Sequence, residues 1–550
     1  MTPGLCVSRE TSIPWRPQFD QGLVDTQLPM ERLQLVLKRS AEQETALEQF
    51  MAEQYDPQLE NFHHWLGADE FGRLYGPSDS DIAAVTNWLK DRGFQIDSVS
   101  KGRVAIEFSG TATQVQQAFH VEMHRYLVNG KMHIANDRDP QIPEALSPVV
   151  AGLASLHDFF PAHQSVLGRF VQRDAKTGRV TPVESISNGP APQYVFPDPA
   201  SGGINNEDIT PYDFATIYNL TPLWNAGITG KGQSIAISAE TDINLADITA
   251  FRKAFGLSGF AGTATIVLSG ADPGTIQGDL VENTLDAEWA GATAPDAQIL
   301  IVVSKATATS SGGLLSDTYI VDNKTATIMS ASYGECEEAL GSAANSAINA
   351  IYQQGAAEGI SIIVAAGDQG STGCDNSNPI TFPAPAQSGL AVNGLASSPY
   401  VTAVGGTDFL WQTSPYSKYW NATNAANGSN AIGYIPELPW NASCTSTYLL
   451  TYVYTGQTSA ESLCNAANKD GLSDMVTVHG GSGGASGCLS NTGTIASCTG
   501  GYPKPAWQTG TGVPNDTVRD LPDVSLFAGS GLPSGNGGSA YLNLRFVQLS

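Results

Sequence analysis

In the second half of the chain, short and almost wholly apolar runs recur between helix-like stretches. The runs are QSIAISA, TATIVLS, QILIVVS, ATIMSASYG, SIIVAAG and YVTAVGG, and the stretches include LADITAFRKAFG, GDLVENTLDAEWAGA and SAANSAINAIYQQGAAEG. A strand that is apolar on both faces must be covered on both faces, and parallel neighbours need crossover helices to bring the chain back. The pattern predicts an α/β domain with a doubly wound, mostly parallel sheet. Such sheets bind ligands beyond the carboxyl ends of their strands, so chemistry is expected just past these runs.

The first part of the chain has a different rhythm. LQLVLKR reads as a strand, AEQETALEQFMAEQ and SDIAAVTNWLKDRGF as helices, FQIDSVS and RVAIEFSG as a strand pair, and TATQVQQAFH as a helix. HRYLVNGKMHIA places Asn129-Gly130 between alternating strands, the strongest short hairpin signal. Residues 1–158 are therefore expected to form an α+β domain. From 159 to 206 the chain turns to Pro, Gly, Asn and Ser without periodicity, which reads as an exposed linker. Residues 207–550 carry the apolar runs. Within them 411–501 looks like a loop-rich insertion holding two close cysteine pairs, Cys444 with Cys464 and Cys488 with Cys498.

Charge narrows the partners. The net charge is −26, with 17 basic and 25 acidic groups before residue 206 and 10 and 28 after it. Such a surface repels nucleic acid and anionic membranes, and its self-repulsion relaxes as carboxylates protonate, which suits an acidic environment. No run approaches the roughly 20 apolar residues that span a bilayer. The opening MTPGLCVSRETSIPWRPQF has no apolar run after its basic residue and so reads without a secretory signal. Six of the seven cysteines fall after residue 330, an even set that suggests disulfides and an oxidising compartment. Cys336 and Cys374 each lie just past neighbouring strand ends and are expected to pair. No spacing resembles a zinc site, and no cofactor is expected.

Seven of eight histidines precede residue 206, so a hydrolase in the second half would have to move protons with carboxylates. Glu282 and Asp286 stand four apart in VENTLDAEWAGA, on one helix face, where like charges repel. Such a pair, if buried, shares a proton and one member titrates high. On spacing alone it could equally be a solvated acidic face. Asp368 ends SIIVAAGD, past a strand's carboxyl end, where it is either a ligand-facing acid or an ordinary loop aspartate.

Two other motifs carry less. Gly480-Gly481-Ser482-Gly483-Gly484 satisfies G-x-S-x-G after an apolar MVTV strand and beside His479, but a nucleophile elbow must open a helix and ASGCLSNTG is turn chemistry. The early histidines His63, His64, His120, His124, His133, His157 and His163 could sense acidification or simply pack.

The segments NFHHWLGADEFGRLYGPSDSDIAAVTNWLKDRGF, ITPYDFATIYNL, Glu282-x-x-Leu285-Asp286, SASYGECE, AAGDQG, GGSGGAS, PAWQ and RDLPDVS occur in an order that resembles the sedolisin, or serine-carboxyl peptidase, family. The resemblance spans nearly the whole chain. It implies a pro-kumamolisin-type activation prodomain, a maturation site in the linker and a subtilisin-like peptidase domain. It further implies Glu282 as general base, Asp286 as the acid that orients it, Asp368 as the oxyanion-hole acid and Gly480–Ser486 as a substrate-binding strand edge. A protonated Asp368 could donate to a developing oxyanion, which confines such chemistry to acidic pH. Protein or peptide substrates, the chain's own prodomain as intramolecular inhibitor, and an extracellular location follow from the same resemblance.

One departure stands out. The family's nucleophile lies in a GTSAS-type segment downstream of RDLPDVS, followed by calcium ligands. Here RDLPDVSLFAGSG runs into LPSGNGGSAYLNLRFVQLS, and no GTSAS occurs. Ser539 in GGSAYLN is the nearest substitute, and it lacks a helical pattern around it. The sequence therefore leads one to expect a chain cut short relative to the family, without nucleophile or calcium site, and inactive.

Overall fold

The computed structural model describes residues 5–7, 17–128, 130–163, 171–173, 180–182, 195–198, 204–375, 386, 388–410, 416–454, 456–469, 473–489, 498–529 and 544–546. In the first domain the strands Gln95–Val99, Ala105–Thr111, Pro29–Leu37 and Val150–Leu153 lie side by side in that order, all antiparallel. Their inner face supplies Met30, Leu33, Leu35 and Phe108 to a core completed by Val85, Leu89, Val115 and Phe119 from two helices. Those helices, Asp79–Lys90 and Ala112–Phe119, start at reciprocal caps in which Ser78 and Thr111 accept amides while Asp81 and Gln114 reach back to the cap N–H. Each cap satisfies two otherwise orphaned donors. The predicted hairpin is present as Met123–Val128 paired with Lys131–Asn136, with Asn129 itself outside the described residues.

The second domain is built on an eight-stranded sheet. The strand order is Thr263–Leu268, Gln298–Val303, Ser234–Ala239, Ile328–Ala331, Ser361–Ala365, Thr402–Phe409 and Glu437–Pro439, with Val524–Phe527 also pairing with Thr402–Phe409. All neighbours are parallel except Glu437–Pro439. Alternate residues serve opposite faces. Ala236, Val302, Met329 and Ile362 pack under the helices Gly312–Asp322 and Glu337–Ala357. Ile237, Ile299, Ile301 and Val303 pack under Leu245–Ala254 and Gln277–Thr293. This two-sided cover is what the apolar runs required.

The first domain docks on the outer side of the first helix pair. Leu47, Met51, Leu66 and Phe71 merge with Ile320, Val321, Ile351 and Tyr352 in one apolar cluster. Around it the amides of Lys101 and Gly102 donate to the Asp322 carboxylate at 2.8 and 2.9 Å, and Gln54 Nε2 donates to the Ala357 carbonyl at 2.9 Å.

Two local expectations fail for physical reasons. MVTV is not a strand: Ser473–Val476 is a short helix, because Met475 and Val476 pack on Cys444, Tyr448 and Leu463 in the disulfide-bonded insertion. The 159–206 stretch is not uniformly irregular, since Ala162–His163 pairs with Tyr333–Gly334 and Val195–Asp198 pairs with Ile204–Ile209. Gly312–Asp322 forms a further helix, whose first glycine is required by close approach, a Cβ on Gly312 falling 2.3 Å from the Ser304 carbonyl oxygen. At the far end, Val524 and Leu526 alternate to one side of their strand at 50% and 39% exposure. Ser539 and Leu542 lie outside the described residues, while Leu544–Phe546 pairs in parallel with Glu207–Ile209.

Candidate active site

Glu282 and Asp286 sit in mid-helix on Gln277–Thr293, which buries Asn283, Ala287 and Gly291 against the sheet. Ser332, the first residue beyond Ile328–Ala331, donates its hydroxyl to Asp286 Oδ1 at 2.9 Å, while Oδ2 is buried without a hydrogen-bond partner. Burial holds the Asp286 carboxyl well above its ordinary value, the Glu282 charge adds to this, and the Ser332 hydrogen bond opposes it. A carboxyl so placed keeps its proton through the acidic range and presents it beside its neighbour.

Asp368 follows Ser361–Ala365, which pairs in register with Ile328–Ala331 through Ala331 and Val364. Adjacent strands are spaced by ~4.8 Å. Ser332 with its acid pair and the Asp368 loop therefore lie together at the carboxyl ends of adjacent interior strands. The Asp368 amide donates to Gln369 Oε1, and its carbonyl accepts the Gly480 amide at 2.9 Å.

The glycine segment fits this loop tightly. The amides of Gly480, Gly481, Ser482 and Gly483 donate to the carbonyls of Asp368, Trp440, Gly367 and Gly370. Ser482 Oγ accepts the Gln369 amide at 2.9 Å. A Cβ at Gly481 would fall 2.7 Å from the Gly406 carbonyl oxygen and one at Gly480 2.5 Å from that of Trp440. Glycine is required here by close backbone approach, and three of these amides hold the Asp368 loop while that of Gly481 holds Trp440. Gly484 leaves the seam to pair with Leu521. The described residues 485–489 directly after the motif open no helix, so it does not have the build of a nucleophile elbow. His479 lies buried with its ring edge-on to Trp440 at 5.0 Å.

Several site residues were not read from sequence. Glu240, directly after Ser234–Ala239, is buried and pushed up to about 6, chiefly by that burial, while accepting the Gly313 amide at 2.7 Å and the Ser311 hydroxyl at 2.9 Å. Its own amide donates to the Tyr333 hydroxyl at 2.9 Å. Its position at a strand's carboxyl end was the available signal. Ser332 and Tyr333 lie inside the SASYG motif but carry no mark of their own. The pairing of Ala162–His163 with Tyr333–Gly334 brings the chain leaving the prodomain to the same strand ends, and nothing in 159–206 announces it.

Cys336 pairs with Cys374, Cys444 with Cys464 and Cys488 with Cys498, with Cα separations of 5.1, 4.9 and 4.9 Å. Among the described residues the groupings with metal-ligand spacing are Glu338 with Cys336 and Cys374, and Glu338 with Cys488 and Cys498. All four sulfurs are bonded to each other in disulfides, so neither grouping fits a metal ion. No helix among the described residues is long and apolar enough to cross a membrane.

Comparison with known proteins agrees with this layout. The family described as Pro-kumamolisin, activation domain, matches residues 19–159, and the Subtilase family matches residues 262–494. Sedolisin of Pseudomonas sp. (strain 101) is 28% identical over 408 residues, covering 72% of this chain and 64% of that protein. Tripeptidyl-peptidase 1 of Rattus norvegicus is 27% identical over 398 residues, covering 70% and 63%. Kumamolisin of Bacillus sp. (strain MN-32) is 28% identical over 356 residues, covering 62% and 56%. The chain thus spans less than two thirds of the length of each of these relatives. Among solved structures, Pseudomonas sedolisin complexed with two molecules of pseudo-iodotyrostatin is similar with 21% identity and a TM-score of 0.41, over 62% of this chain and 77% of that one. The chain therefore combines a pro-kumamolisin activation domain over 19–159 with a subtilase-family match over 262–494, and is similar in sequence to sedolisin and tripeptidyl-peptidase 1.

Proposed function

We propose that this is the zymogen form of an acid-active, serine-type endopeptidase in which the carboxylate half of the catalytic machinery is assembled. In this reading Glu282 takes the proton of the attacking hydroxyl, protonated Asp286 orients Glu282, and Asp368 donates to the oxyanion. The observation that carries it is the buried Asp286 carboxyl, held by Ser332 at the strand end where an extended segment already lies. Disulfides in the same domain support an oxidising, extracellular setting. The prodomain supplies the inhibitor, its exit segment occupying the edge a substrate would take.

No GTSAS-type segment occurs within these 550 residues. We therefore expect the 550-residue chain to bind peptide without cutting it, the second reading being a catalytically dead homologue retained for binding. An internally quenched peptide incubated with purified chain from pH 3 to 7 should show no turnover. Cleavage at pH 4 that vanishes in Glu282→Ala would overturn the non-cutting expectation and place the nucleophile at Ser539 or another serine. The acid pair is tested separately by carbon-detected NMR. Glu282→Gln should lower the Asp286 titration, since it removes the like charge beside it, while burial still holds it above its ordinary value. An Asp286 carboxyl that ionises below pH 4 in the parent chain would sink the shared-proton reading.

A further inference from the structure

Ala162 and His163 pair antiparallel with Gly334 and Tyr333, immediately beyond Ser332 and its hydrogen bond to Asp286. A peptide laid along a sheet edge takes affinity from its main chain and specificity from the pockets under its side chains. The pocket under His163 is defined. The imidazole lies over the Tyr333 ring with centroids 4.1 Å apart and planes 32° apart. Its Nε2 is 3.8 Å from Asp279 Oδ1, and the His163 side chain is 7% exposed. Asp279 stands on Gln277–Thr293, one turn before Glu282 on the chain. The Asn283 amide borders both rings.

Histidine uses this pocket incompletely. Burial pushes His163 down to about 4, so the ring rests uncharged above that pH, and 3.8 Å to Asp279 is a long approach rather than a closed ion pair. A guanidinium would use both walls, because it is planar, lies well on an aromatic face, stays charged when buried and reaches further. Glu240 and Asp286, with Glu282 beside the latter, bring further acid groups to the same end of the sheet.

We infer that Asp279, above a Tyr333 floor, is a specificity-determining residue of the peptide cleft, selecting a basic side chain, arginine before lysine, at the position His163 occupies. This rests on the peptide-processing reading above. Burial raises the Asp279 carboxyl, and the groups facing it are His163 on the exit segment, Tyr333 on the strand edge and Glu240 at the neighbouring strand end. The preference should therefore strengthen as pH rises through the Asp279 titration and weaken toward pH 4.

The test uses the full chain with Ala162→Gly and His163→Gly, which empties the pocket under His163 and weakens the exit segment's hold on Tyr333–Gly334, and fluorescent peptides identical except for Arg, Ala or Glu at the matching position. By anisotropy at pH 6 the Arg peptide should bind on the order of tenfold more tightly than the Ala peptide, a difference of ~1.4 kcal/mol, with Glu weakest. Asp279→Asn should bring the Arg-to-Ala ratio toward one, and pH 4 should narrow it. Equal affinities in the parent, or a ratio that survives Asp279→Asn, overturns the inference while leaving the peptide-binding reading intact. Failure of every peptide to bind overturns both. In the otherwise unaltered chain, His163→Arg should slow hydrogen exchange at 162–163 and His163→Glu should speed it. Identical exchange in these two variants also overturns the inference.

Discussion

Raising the pH from 4.5 to 7.5 should lower the stability of this chain to urea by several kcal/mol. Five buried carboxyls are held high, with burial the largest cause in each: Glu240 and Asp317 at about 6, and Glu335, Glu358 and Asp408 at about 7. In the unfolded chain these groups ionise near ~4. Between the two values the folded state keeps protons that the unfolded state has lost, so stability declines with rising pH. It is full below about 4 and lost progressively as pH climbs through 6 and 7. Asp408 shows why. Its Oδ1 accepts the Phe409 amide at 2.9 Å, but Oδ2 is buried without a partner and a Cβ on Gly529 would sit 2.7 Å from it. Ionised, it would be a bare charge against Trp440.

A carboxyl that titrates one pH unit higher in the folded chain than in the unfolded one costs the fold about 1.4 kcal/mol once both have ionised. If only two of the five titrate about two pH units higher when folded, the loss is ~5 kcal/mol, comparable with the ~5 to 15 kcal/mol that hold a whole domain together. His157 and His163, pushed down to about 4 by burial, act in the opposite sense up to the ordinary histidine value of ~6.5 and offset part of this loss, so the net decline falls chiefly above that pH, while the lowered Asp20, Asp296 and Asp516 are solvent-screened and weigh little. Urea midpoints across the pH range measure the effect. Asp408→Asn should lose clearly less than the parent over the same interval, because one of the titrating groups is gone. A midpoint that stays flat or rises from pH 4.5 to 7.5 would show that these acids are not held protonated. Such a response would tie the fold itself to the acidic setting proposed for the Asp286 pair.

How much of this was legible in the sequence depends on the range over which each feature is encoded. The parallel strands were readable because burial on both faces makes each one apolar throughout, and helices such as Asp79–Lys90 because Ser78 and Asp81 form their cap locally. Glu282 and Asp286 were visible as a spacing, and the family resemblance gave that spacing a role. Ser332 was not, since its function exists only across a helix-to-strand contact that no local pattern records. Glu240 and Tyr333 meet through one backbone amide, which is equally silent. The glycines 480–483 looked like an open substrate edge, whereas their amides close on the Asp368 loop and on Trp440. MVTV misled because four apolar residues fit a strand and a short buried helix equally well, and disulfide-bonded neighbours made the choice. Pairing of Ala162–His163 with Tyr333–Gly334 depends on the docking of a whole prodomain, a relation between segments some 170 residues apart.

Replacing Asp523 by Ala should cost ~3 to 5 kcal/mol, the usual range for leaving a buried charge without its partner. Arg519 is completely buried and grips both oxygens of Asp523, Nη1 to Oδ1 and Nη2 to Oδ2, each at 2.5 Å. The remaining valences are nearly filled. Nη1 also donates to the Asp520 carbonyl, Asp523 Oδ2 accepts the Ala403 amide at 2.8 Å, and the Asp523 amide returns a bond to the Ala403 carbonyl. The Trp507 ring covers the guanidinium at 5.2 Å. These bonds fasten RDLPDVS to the strand Thr402–Phe409, whose Gly406 touches Gly481, and Gly481 lies in the seam that positions the Asp368 loop. Damage here should therefore spread. Asp523→Ala is expected to lower the urea midpoint sharply and also to raise hydrogen exchange at the amides of 480–483. Replacing both partners with apolar residues, Arg519→Met with Asp523→Leu, should recover much of the loss, since neither charge is then stranded. A single-variant cost below about 1 kcal/mol, or a double variant no better than the single, would mean that Arg519 finds water or another acid when Asp523 is gone, and the seam is held by its glycines alone.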